Sequence, residues 1–492
     1  MHNLKKIKTI AQITPEVYPF SRTGGLAFSS ADISNNLAKL GYNVSVFAPF
    51  WGSTVKRLDL DEREVILKDI QLELDNETKI KFSCIKHKVE IDEDNSIEYY
   101  FIAHYEFFGK YSQNLFYHPE THKRMYFFSK ATVEVIKLLN LNFDIVHIHD
   151  WMAGLVPQIL RKEIANPPKT LLTIHNAAYQ GANNVNLHRF EKGFGRIVNR
   201  LPNFNDNESW DNVNFLKQGI KFSDAVNTVS NTYAREVISG KFGEGLAAFI
   251  KRNKVLYGIR NGIDYKKYNP SLPGSLSFRY DKTNFWEKRR KNKKRLFRKL
   301  QIPKSHLSKL LVITTHRLCY QKGFDYIFQE IENLMKLPVY MIVLGDGDNY
   351  YINKARDLDK NFERFKFIHP FSIEMEEKLI SSADVVICAS VFEPCGLAHM
   401  KAMRYGTIPV ANSVGGLADS IDNYDLHLKT GTGFLYDGNN GDNLTNTLNT
   451  AYKIFDNSKD EWKLIVENAM SEIFSWELSI EEYIRLYEKI SK

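Results

Sequence analysis

The segment Phe392-Glu393-Pro394-Cys395-Gly396-Leu397 sets a carboxylate, a thiol and a glycine between an apolar run and a helical pattern. A carboxylate at a strand end, followed by the open N–H groups of a helix start, can hold a polar ligand. Val414-Gly415-Gly416-Leu417 forms the next such turn. No histidine stands beside Cys395 in the sequence, which favours a packed thiol near a ligand over a nucleophile. Earlier, His316-Arg317-Leu318-Cys319-Tyr320-Gln321-Lys322-Gly323 puts a guanidinium and an ammonium five residues apart. Both can reach one diphosphate and neutralise it without a metal ion; a surface salt bridge is the plainer alternative.

The first half carries a second set. Pro15-Glu16-Val17-Tyr18-Pro19-Phe20-Ser21-Arg22-Thr23-Gly24-Gly25-Leu26 leads into a helical pattern. Gly24 and Gly25 allow close backbone approach, the helix start attracts phosphate, and Arg22 adds charge, although a purely structural turn reads the same way. His147-Ile148-His149-Asp150-Trp151 and Thr173-Ile174-His175-Asn176-Ala177-Ala178-Tyr179-Gln180-Gly181 are polar, aromatic-bearing turns at adjacent strand ends. Together they suit a sugar by hydrogen bonding and stacking. His147 and His149 share one strand face, but nothing completes a tetrahedral set, so one of them is expected to be a buried structural histidine and no metal site is expected.

The elements that must position these turns are short β-branched runs alternating with amphipathic stretches, the pattern of parallel sheets covered by helices. Strands are expected at residues 9–14, 43–48, 144–149, 170–175 and 224–229, and again at 309–315, 339–344, 365–369, 384–389 and 408–411. The fold class is α/β with two doubly wound units and no sequence repeat between them. Residues 240–261 are glycine-bearing and less periodic, which gives domains at 1–250 and 251–474, with a last helix at 475–492. In such sheets ligands bind beyond the carboxyl ends of the strands.

Composition narrows the classes. The chain has 492 residues, 43% hydrophobic and 25% charged, and 27 Gly with 15 Pro is too few for a collagenous or low-complexity protein. The net charge of +8 is spread along the chain, so neither a nucleic-acid nor a membrane partner is expected. Residues 287–299 hold nine Lys and Arg, read as a solvated helix face, with a contact to nucleic acid or anionic glucan as the alternative. Four scattered cysteines without a C-x-x-C pair fit a reducing compartment. The early apolar stretch is too short for a signal peptide, and no run reaches the length of a membrane span. A cytoplasmic protein is expected; oligomeric state is not legible.

Taken in order, these segments resemble the bacterial glycogen and plant starch synthase family. The motifs are Arg22-Thr23-Gly24-Gly25-Leu26 for the family's K-T-G-G-L, the H-x-H-D-W turn, T-I-H-N-A-A-Y-Q-G, Gly258-Ile259-Arg260-Asn261-Gly262-Ile263-Asp264, R-L-x-x-Q-K-G and F-E-P-C-G-L. The resemblance covers almost the whole chain. It implies a GT-B fold, two Rossmann-like domains facing each other across a deep cleft, and a last helix crossing back to the first domain. It implies retaining transfer of glucose from ADP-glucose to an α-1,4-glucan with no cofactor and no metal. On this likeness Arg317 and Lys322 bind the donor diphosphate and Glu393 supports the glucosyl transition state. Asp150 and His175 contact the sugar, His175 partly through its backbone carbonyl, while Phe371 stacks on adenine. Arg22, Gly24, Gly25, Cys395, Gly396, Leu397, Gly415 and Gly416 line the donor side, and Trp151, Tyr179 and Gln180 the acceptor side. The chain departs from the pattern at Arg22 for Lys, at Ala27-Phe28-Ser29 for G-D-V, at Met152 for His, at Val391 for Arg, at Ala398-His399 for Asn-Gln and at Val414 for Thr. Two other readings therefore stand beside the synthase: the same fold with a changed donor or acceptor, such as a UDP-sugar, and a weakly catalytic glucan-binding paralogue.

Overall fold

Fifteen strands form two sheets in a computed structural model that describes residues 7–74, 79–113, 115–116, 120–181, 214–274 and 276–492. The chain divides into two units. The first holds Met1–Val229, Ala234–Arg260 and Trp476–Lys492, and the second Ser230–Tyr233 and Asn261–Ser475.

In the first unit the strands are β1 (Thr9–Ile13), β2 (Asn43–Pro49), β3 (Glu64–Glu73), β4 (Lys79–Glu90), β5 (Ser96–Ala103), β6 (Ile145–His149), β7 (Lys169–Ile174), β8 (Ala225–Thr228) and β9 (Leu256–Gly258). Their order is β3-β4-β5-β2-β1-β6-β7-β8-β9, parallel except where β4 pairs with β3 and β5. β1 lies between β2 and β6, so the chain reverses its direction of travel across the sheet at that place. The central strands read as unbroken apolar runs because helices cover them, and β6 is buried throughout. The last helix, Trp476–Ser491, is part of this unit's core: Trp476, Ile480, Tyr483, Leu486 and Tyr487 pack with Ile10, Leu37 and Val44.

The second unit is built from β10 (Leu310–Thr314), β11 (Val339–Leu344), β12 (Phe365–Ile368), β13 (Val385–Cys388), β14 (Ile408–Asn412) and β15 (Phe434–Tyr436). All are parallel, in the order β12-β11-β10-β13-β14-β15, which is the order of a dinucleotide-binding Rossmann sheet. Its switch point lies between β10 and β13.

All ten expected strands are present, but β3, β4, β5, β9 and β15 were not expected. The basic stretch forms the helix Phe285–Lys299, and a wholly solvated face is not what it presents. Arg289 and Lys293 are buried: Arg289 donates to the Ala383 carbonyl and to Thr407, at 2.9 Å, and Lys293 sits 2.7 Å from Asp384. Two of the nine cations thus fasten the helix to the amino end of β13. Among the described residues no helix is long and apolar enough to cross a membrane.

Candidate active site

The chemistry-bearing turns follow the strands at each switch point. In the second unit Arg317 and Lys322 follow β10 and Glu393 follows β13, its neighbour. Lys322 and Glu393 are in direct contact, with side chains 18% and 6% exposed. Ser390 Oγ donates to the same carboxylate at 2.9 Å. Burial works against the charge on Lys322, yet the Glu393 carboxylate outweighs it and holds the ammonium above its ordinary value.

Glycine makes this meeting possible. Gly323 has φ 72°, and a Cβ there would stand 1.8 Å from the Ala389 carbonyl oxygen. The Lys322 turn therefore lies directly on the chain leaving β13, where the Val391 N–H donates to the Gln321 carbonyl at 2.9 Å. Likewise a Cβ on Gly416 would stand 2.0 Å from the Cys395 carbonyl, and the Gly416 N–H donates to the Glu393 carbonyl at 2.9 Å. Gly396, at φ 76°, turns the chain beside the Glu393 side chain. Cys395 is a buried thiol inside this packing. His399 contacts Ser420 Oγ at 2.5 Å, and Ser420 donates to the Gly416 carbonyl, so a departure from the family pattern braces the Gly415-Gly416 turn. Leu397 is the residue before the helix Ala398–Arg404.

At the outer strands, Phe371 follows β12 and is half-buried, its N–H donating to Asp346 at 3.2 Å. Asp346 follows β11, and the same carboxylate lies 3.0 Å from His369. Arg317 is exposed beside the loop holding Asp346, which pairs with Leu318 through two backbone bonds of 2.8 Å. His316 faces inward, and burial pushes its imidazole down to about 3, so it is neutral beside Lys322.

In the first unit the turns after β1, β6 and β7 converge. Glu16, which the sequence pattern did not single out, is buried and accepts the N–H groups of Thr23 and, at 3.2 Å, Gly24. It clamps the turn that presents Arg22, Gly24 and Gly25. A Cβ on Gly25 would meet nothing within 4 Å and its φ is an ordinary −70°, so the fold itself does not require glycine there. A residue kept small beside open space suits a ligand that approaches closely. Arg22 rests 5.5 Å from the centre of the Phe28 ring, which packs 4.8 Å from Tyr18.

Asp150 follows β6 with φ 58° and ψ −178°, a conformation that costs a non-glycine residue about 1–3 kcal/mol. Its carboxylate accepts the His175 N–H at 2.7 Å. Burial pushes the carboxyl up to about 7, against the lowering effect of the His175 and Asn176 N–H groups, and the nearby charge of Glu16 raises it further. His175 Nε2 lies 3.0 Å from His149 Nδ1, and His149 Nε2 lies 2.8 Å from Gln12. Burial drives His175 down to about 3, so all of this is neutral imidazole chemistry.

One expectation needs correction. His147 and His149 are both fully buried, not one of the two: His147 is held by Tyr487 at 2.8 Å and Thr173 at 2.6 Å. Trp151, expected on the acceptor side, is buried, with its ring against His122, Phe215 and the backbone of Gly181, where a Cβ would stand 2.2 Å from it. Gln180 spends its side chain on the Ala177 and Glu244 carbonyls and on Asn214, at 2.7–3.1 Å. Tyr179, by contrast, is 53% exposed. Among the described residues no three His, Cys, Asp or Glu side chains are grouped to hold a metal ion.

Two Rossmann-type units with a cation–carboxylate pair at one switch point and a strained aspartate at the other define a GT-B glycosyltransferase. Residues 9–252 match the family described as Starch synthase catalytic domain, and residues 293–463 match Glycosyl transferases group 1. The chain is 34% identical to a glycogen synthase of Pseudothermotoga lettingae, covering 98% of both chains, and 33% identical to one of Thermotoga maritima, covering 97% of this chain and 98% of that. Its structure resembles the catalytic domain of starch synthase IV from Arabidopsis thaliana bound to ADP and acarbose, with TM-score 0.86 and 25% identity over 99% of this chain and 100% of that. A sucrose-phosphate synthase from Thermosynechococcus elongatus shares the fold at TM-score 0.59 and 16% identity, over 98% of this chain and 99% of that one. The chain belongs to the glycogen and starch synthase family.

Proposed function

We propose that the protein transfers glucose from ADP-glucose to the non-reducing end of an α-1,4-glucan, with retention of configuration and without a metal, in the cytoplasm. The observation that carries this reading is the Lys322–Glu393 contact at the second switch point. In the donor complex Arg317 and Lys322 take up the charge that grows on the departing diphosphate, the role a metal fills elsewhere. Glu393, held by Lys322 and Ser390, presents negative potential to the glucosyl carbon as it becomes electron-poor. Phe371 stacks on the adenine. Asp150 and His175 contact the sugar; His175 is neutral and works as a hydrogen-bonding group, not as a cation. Tyr179 remains an acceptor contact. Retention rests on family likeness. The starch synthase IV catalytic domain, bound to ADP and acarbose, supports a nucleotide and a glucan-like ligand here. Four free thiols fit a reducing compartment.

A second reading, a changed donor, is favoured by Phe28, which stands where the family has Asp and makes an aromatic seat for Arg22. One experiment addresses both: release of ADP from ADP-glucose and of UDP from UDP-glucose, each with and without glycogen. Glycogen-dependent ADP release is expected, with Glu393→Ala lowering it about 100-fold or more while the melting temperature holds. Preferential UDP release selects the changed donor, and a near-wild-type rate in Glu393→Ala removes Glu393 from the mechanism.

A further inference from the structure

The basic helix Phe285–Lys299 borders a cavity of about 720 Å³ whose opposite wall comes from the helices Gly441–Asn457 and Lys459–Ser471. Its lining includes Leu307 and Ser308, which precede β10, and Ser382 and Asp384, which precede β13. Both strands are parallel, and Arg317, Lys322 and Glu393 follow their other ends. The cavity therefore sits at the opposite end of the sheet from the candidate active site.

Charge is the distinctive feature of this cavity. Six cationic side chains line it against two carboxylates, Glu287 and Asp384. Those two are already matched, Glu287 to Lys291 at 2.5 Å and Asp384 to Lys293 at 2.7 Å. Arg290 and Lys294 are exposed and form no ion pair among the described residues. Being four residues apart on one helix, they present neighbouring positive groups. The buried anchors Arg289 and Lys293 fix the helix that carries this pair. Trp286 and Phe455 add an apolar wall.

We propose that this cavity binds a phosphorylated small molecule, with Arg290 and Lys294 on its phosphates. The volume falls within the roughly 300–1,000 Å³ of small-ligand pockets, and a guanidinium beside an ammonium suits clustered phosphate oxygens. A neutral α-glucan would gain nothing from the excess positive charge. The concave shape favours a small ligand over a polymer or a lipid surface. Because the site lies away from the post-strand turns, its occupancy does not require a vacant donor site.

The test is calorimetric titration of the full chain with ATP and, separately, inorganic tripolyphosphate, using wild type, Arg317→Ala and the double variant Arg290→Glu/Lys294→Glu. Saturable binding is expected in wild type and in Arg317→Ala, with at least tenfold weaker affinity in the double variant, whose circular dichroism should match wild type. If the charge reversals impair folding, Arg290→Ala/Lys294→Ala serves in their place. Tighter binding of ATP than of tripolyphosphate assigns the organic moiety to the aromatic wall, and equal binding assigns recognition to phosphate alone; both support the site. Absence of saturable binding, or an affinity unchanged in the double variant, overturns it.

Discussion

At Asp150 two unfavourable features coincide: a backbone angle that L-residues avoid and a carboxyl buried beside Glu16. A residue held in such a conformation is maintained by its surroundings, and strain of this kind gathers at functional sites. The two N–H groups it accepts favour the carboxylate, while burial favours the acid and wins, raising the group from 3.8 to about 7. The consequence has a definite sign. Between those values the folded chain binds a proton that the unfolded chain has released, so the associated stability is present below the unfolded value and is lost as pH rises through about 7. Activity should run the other way, rising through about pH 7 as the carboxylate that holds the His175 turn forms. Asp150→Asn should remove that limb and lower the rate at all pH values. A kcat profile of unchanged shape in Asp150→Asn would assign the limb to another group.

At the scale of elements, the site depends on turns brought closer than any side chain allows. Gly323 is the clearest case, since alanine there meets a carbonyl at 1.8 Å and also carries the penalty of positive φ. Gly323→Ala should cost roughly 1–3 kcal/mol from overpacking plus about 1–2 kcal/mol from the left-handed backbone, and should part Lys322 from Glu393. Gly240→Ala, with φ 92° and open space around its Cβ, is the control and should show only the backbone cost. Urea unfolding with parallel rate measurements checks this: equal losses in the two variants would mean that close approach of the turns is unimportant. Most of the buried parallel strands were legible because burial on both faces writes an apolar run into the sequence; β5, also parallel to β2 and largely buried, was missed although Tyr99-Tyr100-Phe101-Ile102 is such a run. β3 and β4 were not, because they alternate charged and apolar residues at the exposed margin of the sheet, and β9 and β15 are three residues long. The site divides in the same way. Arg317, Lys322 and Glu393 were readable as residue types at strand ends, but the Lys322–Glu393 contact spans 71 positions and only the sheet order creates it. Glu16 carried a faint signal, a carboxylate ahead of a Gly-Gly turn, and its role appears only once the turn folds back on it. For Trp151 and Gln180 the residue types alone did not reveal the packing and internal hydrogen bonds in which the fold engages them.

For the whole molecule, the path of the chain matters more than its composition. The first unit is left at Arg260 and re-entered at Trp476, so its core is finished by the last residues of the sequence. Trp476 donates to Asp32 at 2.9 Å, and Tyr487 reaches the buried His147 at 2.8 Å. Five large side chains of that helix are buried in the core, each contributing about 1.5–3 kcal/mol. Their sum rivals the roughly 5–15 kcal/mol that stabilises a typical domain. Ending the chain at Ser475 should therefore unfold the first unit while leaving the second, whose sheet contains no residue beyond Tyr436, able to fold. Limited proteolysis with mass spectrometry reads this directly: in the truncated protein, fragments should come from the first unit and a resistant core should begin near Asn261. The activity should vanish, since Asp150 and His175 are lost with their sheet. A truncated chain that resists protease throughout and keeps its rate would mean that the first unit closes its core without the helix.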